Sequence, residues 1–220
     1  MRRDVGLRYT GRLFSVFTCS MSGIIDFPAF LVASTLLILS PGPGTLAILG
    51  SATGSRRHGF AALAGTSTGD AILMAAAAIG AATLLATNPL AFEVLKYGGG
   101  AYLVWLGIKS LLSKEQGLAV SQPDSTGPYR RSLLVTLLNP KAIVFFMAFF
   151  PQFVAPGASG WNFAVLGTVF IALNCLYQSL LILGAGFILR HLDEAPHYAL
   201  WINRLLGMVF ILFGLRLAVG

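Results

Sequence analysis

The 220-residue chain is 56% hydrophobic and only 10% charged, with a formal net charge of +7 and a mean hydropathy of +0.78. Soluble domains carry about a quarter charged residues, so this composition excludes a soluble globule. Apolar stretches of about 20 residues, the length that spans a bilayer, predict an integral membrane protein. Its spans should be helices, because a barrel would show shorter segments of alternating polarity.

The first 20 residues differ from the rest of the chain. They contain four arginines, and the apolar patch at residues 13–17 is too short for a span or for most signal-peptide cores. We therefore expect translation to start at Met21, which makes residues 1–20 an N-terminal extension that is not translated. Residues 21–220 are then the transmembrane domain.

Six apolar segments follow in chain order, bounded by turn residues or by charges. The predicted spans are 27–51, 60–86, 91–112, 133–154, 162–189 and 198–219. Turns are predicted at Asn88-Pro89, Pro156-Gly157 and Pro196. Residues 113–132 form the longest connector, which is polar and predicted to be flexible. The sequence thus predicts an all-α polytopic membrane protein with six transmembrane helices.

Basic residues between the spans predict the orientation. The first, third and fifth loops are flanked by Arg56, Arg57, Lys109, Lys114, Arg130, Arg131, Arg190 and Arg204. The loops at 87–90 and 155–161 carry no charge. The positive-inside rule therefore places the odd loops in the cytoplasm and both termini outside. It also accounts for the net charge without a nucleic-acid partner.

The third and sixth spans share a pattern that indicates an internal repeat. Gly100, Gly107 and Lys109 match Gly207, Gly214 and Arg216, all at an offset of 107 residues. Three spans are an odd number, so the two halves, about 27–112 and about 133–219, would insert with opposite orientations, as in many secondary transporters. The alternative is a chance match between abundant glycines and leucines.

Each half also contains a proline break in its first span. Ser and Asn are preferred N-caps and Pro is favoured at the first helical position, so Ser40-Pro41 and Asn139-Pro140 predict helices that start afresh inside the membrane. A new helix N-terminus carries free N–H groups and partial positive charge, which a carboxylate would satisfy. The alternative is a plain proline kink that neighbouring helices or a water repair.

Two charged residues lie within the predicted spans. Asp70 is near the middle of the second span, and Lys141 directly follows the second break. Each costs about 2.5 kcal/mol or more at the bilayer centre, so each should be paired or functional. We interpret Asp70 as a site for a substrate ammonium or a proton, and Lys141 as added charge for the carboxylate site. The alternatives are an Asp–Lys ion pair and, for Lys141, snorkelling towards the cytoplasm.

Other polar residues carry less information. Asn174 and Gln178 lie one turn apart on the fifth span, where they either line the same cavity or form hydrogen bonds between helices. Cys19 and Cys175 lie apart, and the three histidines are in loops. No nucleophile–base pair or metal-ligand spacing is present, so the sequence predicts no enzyme, no metal and no cofactor.

These motifs resemble the LysE/RhtB family of amino-acid exporters. Ser40-Pro41-Gly42-Pro43, Gly69-Asp70 and Asn139-Pro140-Lys141 occur in the family's order, and the resemblance covers roughly residues 24–220. It extends to "VLKYGGGAYLVWLGIKSLL" and "WINRLLGMVFILFGLRLAV". The resemblance implies export of amino acids or close derivatives across the bacterial cytoplasmic (inner) membrane by proton exchange. Gly44 departs from the Asp or Asn that family members often carry there, which argues against basic substrates such as lysine.

The sequence as a whole is interpreted as an exporter whose two broken spans meet near the midplane. The candidate substrate-binding residues are Ser40, Pro41, Gly42, Pro43, Asp70, Asn139, Pro140, Lys141, Asn174 and Gln178, with Asp70 also the candidate for proton coupling. The expected partners are an amino-acid substrate, protons and the lipid bilayer, and a homo-oligomer is compatible with the sequence. Two alternatives are kept: an exporter of an inorganic or organic cation on a similar scaffold, and a membrane scaffold without transport activity.

Overall fold

The structure is a computed structural model that describes residues 23–40, 42–112, 127–155, 158–194 and 196–219. All regular elements in these ranges are helical, apart from a single β-bridge between Ile24 and Val154. The α-helices are α1 (Phe27–Leu39), α2 (Pro43–Gly54), α3 (Arg56–Thr87), α4 (Pro89–Leu111), α5 (Pro128–Leu137), α6 (Pro140–Val144), α7 (Gly160–Glu194) and α8 (Pro196–Val219). A π-helix, Phe145–Phe149, and a 3-10 helix, Phe150–Phe153, continue α6.

The helices have the length and polarity of a multi-pass membrane protein. Arg56–Gly80 of α3 and Gly160–Ala185 of α7 are each long and apolar enough to cross a membrane. Two bent pairs meet the same criteria when each is counted as one span: α1 with α2, bent by 50°, and α5 with Pro140–Phe153, bent by 53°. The described residues therefore contain two to four candidate spans. The 23-residue α4 and the 24-residue α8 are about 35 Å long at 1.5 Å per residue.

The helix boundaries follow the predicted spans closely, with one difference in the third connector. Helices begin at Pro89 and Pro196, as the predicted turns require. However, α5 already begins at Pro128, so the last five residues of the predicted 113–132 connector are helical. Proline at the first helical position explains this earlier start. Residues 1–20, 113–126 and the predicted turn at 156–157 lie outside the described residues.

At the first break, the predicted helix start at Ser40-Pro41 is wrong by two residues. Ser40 ends α1 instead, where its backbone N–H donates to the Leu36 carbonyl at 3.1 Å. The next helix, α2, begins at Pro43 with Gly42 in an extended conformation as its N-cap. A residue that precedes proline is disfavoured in helix, so each proline of the pair keeps the residue before it extended. Pro41 itself lies outside the described residues.

At the second break, the predicted start is confirmed. Asn139 is the N-cap of α6, and its side-chain oxygen accepts the backbone N–H of Lys141 at 3.1 Å. The irregular continuation of this helix was not predicted. Pro151 has no N–H to donate to Met147, so the α-helical hydrogen-bond register cannot continue through it. The chain passes this point as π-helix and then 3-10 helix.

Glycines bring α4 and α8 into backbone contact. A Cβ added to Gly107 would lie 2.5 Å from the Gly207 carbonyl oxygen and 3.0 Å from the Ile211 nitrogen. A Cβ added to Gly214 would lie 2.5 Å from the Gly100 oxygen and 3.0 Å from the Val104 nitrogen. Gly107 corresponds to Gly214 at an offset of 107 residues, and Gly100 and Val104 correspond to Gly207 and Ile211 at the same offset. The two contacts are therefore equivalent. The two helices are therefore antiparallel and pack through a pseudo-symmetric face.

Aromatic side chains pack together where the start of α1 meets the 3-10 helix. Phe146 lies 5.8 Å from Phe150 and 5.0 Å from Phe170, measured between ring centroids. Nearby, the backbone N–H of Ile25 donates to the Phe153 carbonyl at 2.8 Å, which joins the start of α1 to the end of the 3-10 helix. We call this set the aromatic cluster: Phe30, Phe145, Phe146, Phe150, Phe153, Phe163 and Phe170.

Candidate functional site

The two breaks lie side by side and form, together with α3 and α7, a cavity of about 70 Å³ that we call the inner pocket. It brings together seven of the residues predicted from the sequence: Ser40, Gly42, Asp70, Asn139, Lys141, Asn174 and Gln178. Pro43 and Pro140 line a neighbouring cavity instead. Polar residues that the sequence analysis did not single out complete the inner pocket: Thr45, Thr66 and Thr136.

Asp70 and Asn174 form the polar centre of the inner pocket. Both side chains are 5% exposed, and Asn174 Nδ2 donates to Asp70 Oδ2 at 3.0 Å. Asn174 thus contacts one of the two carboxylate oxygens of Asp70. The two residues are separated by 104 positions, as are the first residues of their helices, Arg56 and Gly160. They therefore occupy equivalent places on α3 and α7.

Several buried polar atoms of the pocket lack a partner among the described residues. Gln178 is 3% exposed, and its Nε2 donates to Thr45 Oγ1 at 3.1 Å, but its Oε1 has no partner. The hydroxyl groups of Thr66 and Thr136 are also unpartnered. Buried polar groups are normally hydrogen-bonded, so these atoms are free to bind a polar ligand or water in the pocket. Thr66 lies one turn before Asp70, and this spacing was the only signal in the sequence for it.

The start of α2 favours negative charge in the inner pocket. Gly42 has no side chain with which to cap the helix, and the backbone N–H groups of Gly44 and Thr45 precede the first intrahelical donor, Leu46. Gly44 and Thr45 both line the pocket. The start of α6 differs, because Asn139 already accepts one of its N–H groups. The first break therefore offers the better site for a carboxylate.

Lys141 joins the two broken spans. Its Nζ donates to the carbonyl oxygens of Leu37 at 3.3 Å and Ser40 at 3.1 Å, and lies 5.3 Å from the centre of the Phe210 ring. These carbonyls lie at the end of α1, where the last carbonyls lack helical partners and the helix dipole is negative. Lys141 therefore caps α1. It also lies beside the start of α2, with Nζ 3.9 Å from the Cβ position of Gly42.

A larger cavity of about 380 Å³ adjoins the inner pocket, and we call it the vestibule. The two cavities share Ser40, Gly42, Asn139 and Lys141 as a common wall. The other walls of the vestibule come from α4 and α8, including Tyr102, Trp105, Lys109 and Phe210. Lys109 Nζ lies 5.3 Å from the Trp105 ring centre, within cation–π range. The described residues contain no group of three metal-ligating side chains.

A polar pocket between broken apolar helices is typical of secondary transporters. Comparison with known proteins identifies the kind of transporter. The family described as LysE type translocator matches residues 35–220, and the chain belongs to this family. The resemblance predicted from the motifs is thereby confirmed, and the protein is a transporter and not an enzyme.

Curated relatives match almost the whole chain. It is 36% identical over 203 residues to the leucine efflux protein of Enterobacter sp. (strain 638). The aligned residues cover 89% of this chain and 96% of that protein. It is 38% identical over 204 residues to the leucine efflux protein of Klebsiella pneumoniae, with the same coverage. The leucine efflux protein of Salmonella typhi is 34% identical over 203 residues. No solved structure matches the chain.

Proposed function

We propose that the protein exports neutral aliphatic amino acids of the leucine class from the cytoplasm across the inner membrane. The observation that carries this proposal is the charge of the inner pocket. Its ionisable lining residues are one acid, Asp70, and one base, Lys141. An amino acid presents one charge of each sign, and the described lining residues offer no further charge for a basic or acidic side chain. The names of the curated relatives support the same substrate class.

The proposed binding mode follows from the contacts of these residues. The substrate carboxylate binds at the start of α2, beside the Lys141 ammonium. The substrate ammonium binds Asp70 Oδ1, while Asn174 holds the other carboxylate oxygen. The aliphatic side chain then lies against the apolar wall of the pocket, which is formed by Leu37, Ile38, Ala142, Phe146 and Phe170.

We place this pocket in a six-span architecture of two inverted three-helix halves, in which α4 and α8 are the third and sixth spans. Three features support it. The glycine contacts between α4 and α8 are related by an offset of 107 residues. Asp70 and Asn174 occupy equivalent places on α3 and α7. The two broken spans are bent by similar angles, 50° and 53°.

Charge distribution supports the proposed orientation. Lys109 lies in the last turn of α4, and Arg56 and Arg57 begin α3, so the positive-inside rule assigns these ends to the cytoplasm. The vestibule, which Lys109 lines, then opens to the cytoplasm, and the aromatic cluster closes the outer end. A proton and a substrate ammonium compete for the same Asp70 oxygen. We therefore propose that each amino acid that is exported is exchanged for one proton that enters the cytoplasm.

An efflux assay in cells tests the proposal. Cells that lack their own leucine exporters are loaded with leucine through a leucine-containing dipeptide, and efflux is followed with and without expression of the protein. We expect expression to accelerate leucine efflux, and Asp70→Asn to abolish this gain at equal membrane abundance. A panel with lysine, glutamate and divalent cations separates the alternatives. Unaltered leucine efflux on wild-type expression would overturn the proposal, and cation efflux would favour the cation exporter.

A further inference from the structure

The vestibule and the inner pocket differ in charge. Lys109 and Lys141 line the vestibule, and no carboxylate is among its described lining residues. The inner pocket adds Asp70 to Lys141. The vestibule therefore attracts anions, whereas only the inner pocket offers a partner for an ammonium group.

Lys141 lies at the junction between the two cavities, in their common wall. Two of its three N–H donors are used on the carbonyls of Leu37 and Ser40. The third donor is available to a ligand in either cavity. A carboxylate is a stronger partner for an ammonium than a neutral carbonyl, so a carboxylate in the vestibule competes with these carbonyls for Lys141.

Aromatic side chains complete the vestibule. Tyr102 and Trp105 form part of one wall, and the buried Phe210 lies opposite the Lys141 ammonium. These rings offer apolar surface beside two positive charges. A small carboxylic acid with an aliphatic chain has the complementary form, because its charged end meets the lysines and its chain meets the rings.

We propose that the vestibule is a loading site that selects for a carboxylate before the inner pocket selects for an ammonium group. The proposal rests on the proposed function, since it assigns the two selections to one export pathway. Its consequence is specific. The 2-oxo acid with the carbon skeleton of leucine, 4-methyl-2-oxopentanoate, binds in the vestibule but has no ammonium for Asp70. It therefore inhibits export from the cytoplasmic side without being exported.

Tryptophan fluorescence measures binding at the loading site directly. The chain has three tryptophans, and Trp161 and Trp201 are exposed and do not line the vestibule. Trp161→Phe with Trp201→Phe leaves Trp105 as the single reporter in the purified full-length protein. We expect L-leucine and 4-methyl-2-oxopentanoate to change its emission with similar dissociation constants. Leucinamide, which has the ammonium group but no carboxylate, should leave the emission unchanged.

Charge variants test the role of Lys109. In the single-tryptophan protein, Lys109→Ala should weaken binding of both acids about tenfold, the loss of one charge-assisted contact. The matched control is Arg204→Ala, which removes an exposed positive charge of α8 outside the vestibule lining and should leave binding unchanged. Equal affinities in Lys109→Ala and in its parent would overturn the loading site.

Transport measurements separate this inference from the proposed function. In the Asp70→Asn variant, Trp105 fluorescence should still report binding of L-leucine and of 4-methyl-2-oxopentanoate, but the variant should export neither compound. A wild type that exports leucine but whose Trp105 responds to neither acid, or that exports the 2-oxo acid as fast as leucine, overturns the loading site and leaves the proposed function standing. A wild type that exports no amino acid overturns the proposed function, and with it the order of two selections that we assign.

Discussion

Gly44 lies at the start of α2, where its backbone faces two threonines of the inner pocket. A Cβ at this position would lie 3.9 Å from Thr136 Oγ1 and 3.9 Å from Thr66 Cγ2, which are ordinary contact distances. A Cβ at residue 44 therefore meets its neighbours without displacing them, and residue 44 lines the pocket. This residue is the simplest point at which the charge of the proposed substrate site can be changed.

We predict that Gly44→Asp shifts the substrate preference from leucine towards lysine. The new carboxylate is favourable at a helix N-terminus and adds a second acid to the inner pocket. It repels the substrate carboxylate and offers a partner for a basic side chain. Efflux of leucine and lysine from loaded cells measures the shift. Gly44→Asn is the control of equal shape, and wild-type leucine efflux by Gly44→Asp would contradict the prediction.

Lys141 supports the fold as well as the site. We predict that Lys141→Met lowers the free energy of unfolding by about 1–3 kcal/mol, because the carbonyls of Leu37 and Ser40 lose their donor. Lys109→Met is the matched control, since Lys109 is exposed, its ammonium lies over the Trp105 ring, and its loss should change stability by less than about 0.5 kcal/mol. Thermal unfolding in detergent compares the two variants, and equal losses would refute a capping role.

The predictability of the site differs from residue to residue. Asp70 and Lys141 were found because a charge stands out in an apolar span, and Asn139 because an N-cap residue precedes proline. The pocket threonines were missed for a physical reason. A helical threonine often satisfies its hydroxyl on its own backbone, as Thr68 does with the Ala64 carbonyl at 2.8 Å. The sequence does not show that Thr66 and Thr136 leave theirs unpaired.

At the scale of elements, the two breaks were predicted with different success. One proline follows Asn139, so the start of α6 was unambiguous. Two prolines follow Ser40, and either can occupy the first helical position, so the start of α2 was placed two residues early. The π-helix at Phe145–Phe149 was missed because hydropathy reports burial and does not report hydrogen-bond register.

The contact between α4 and α8 supports a prediction about packing. Gly107→Ala should destabilise the protein by about 1–3 kcal/mol, because its Cβ would lie 2.5 Å from the Gly207 oxygen. Gly98→Ala on the same helix meets no atom within 4 Å, and alanine favours helix. It should leave stability unchanged or slightly raised. Thermal unfolding and membrane abundance measure both variants, and a harmless Gly107→Ala would show that these helices are further apart.

At the scale of the whole molecule, the two ends of the bundle differ. The aromatic cluster fills one end, where the rings of Phe30, Phe146 and Phe150 are fully buried. At the other end the vestibule reaches the common wall at Ser40. We therefore expect the common wall to be reached from the vestibule and not through the aromatic cluster.

This asymmetry predicts one-sided access to the common wall. In a background with Cys19→Ser and Cys175→Ser, we expect Ser40→Cys to react with a membrane-impermeant thiol reagent in inside-out vesicles and not in right-side-out vesicles. The reason is that, in the proposed orientation, the aromatic cluster lies between Ser40 and the outer side. L-leucine should slow the reaction if the vestibule is the loading site that we propose. Faster labelling in right-side-out vesicles would contradict both the closed end and the proposed orientation.

The pairing of one acid with one base in the inner pocket also has an electrical consequence. Asp70 and Lys141 sum to zero, and a bound zwitterion adds no net charge. Moving one elementary charge across a membrane potential of 100 mV takes about 2.3 kcal/mol, but the loaded pocket has none to move. In the proposed binding mode, the amino acid itself therefore crosses without electrical work. The voltage dependence of the export rate would then be set only by the number of protons exchanged for each amino acid.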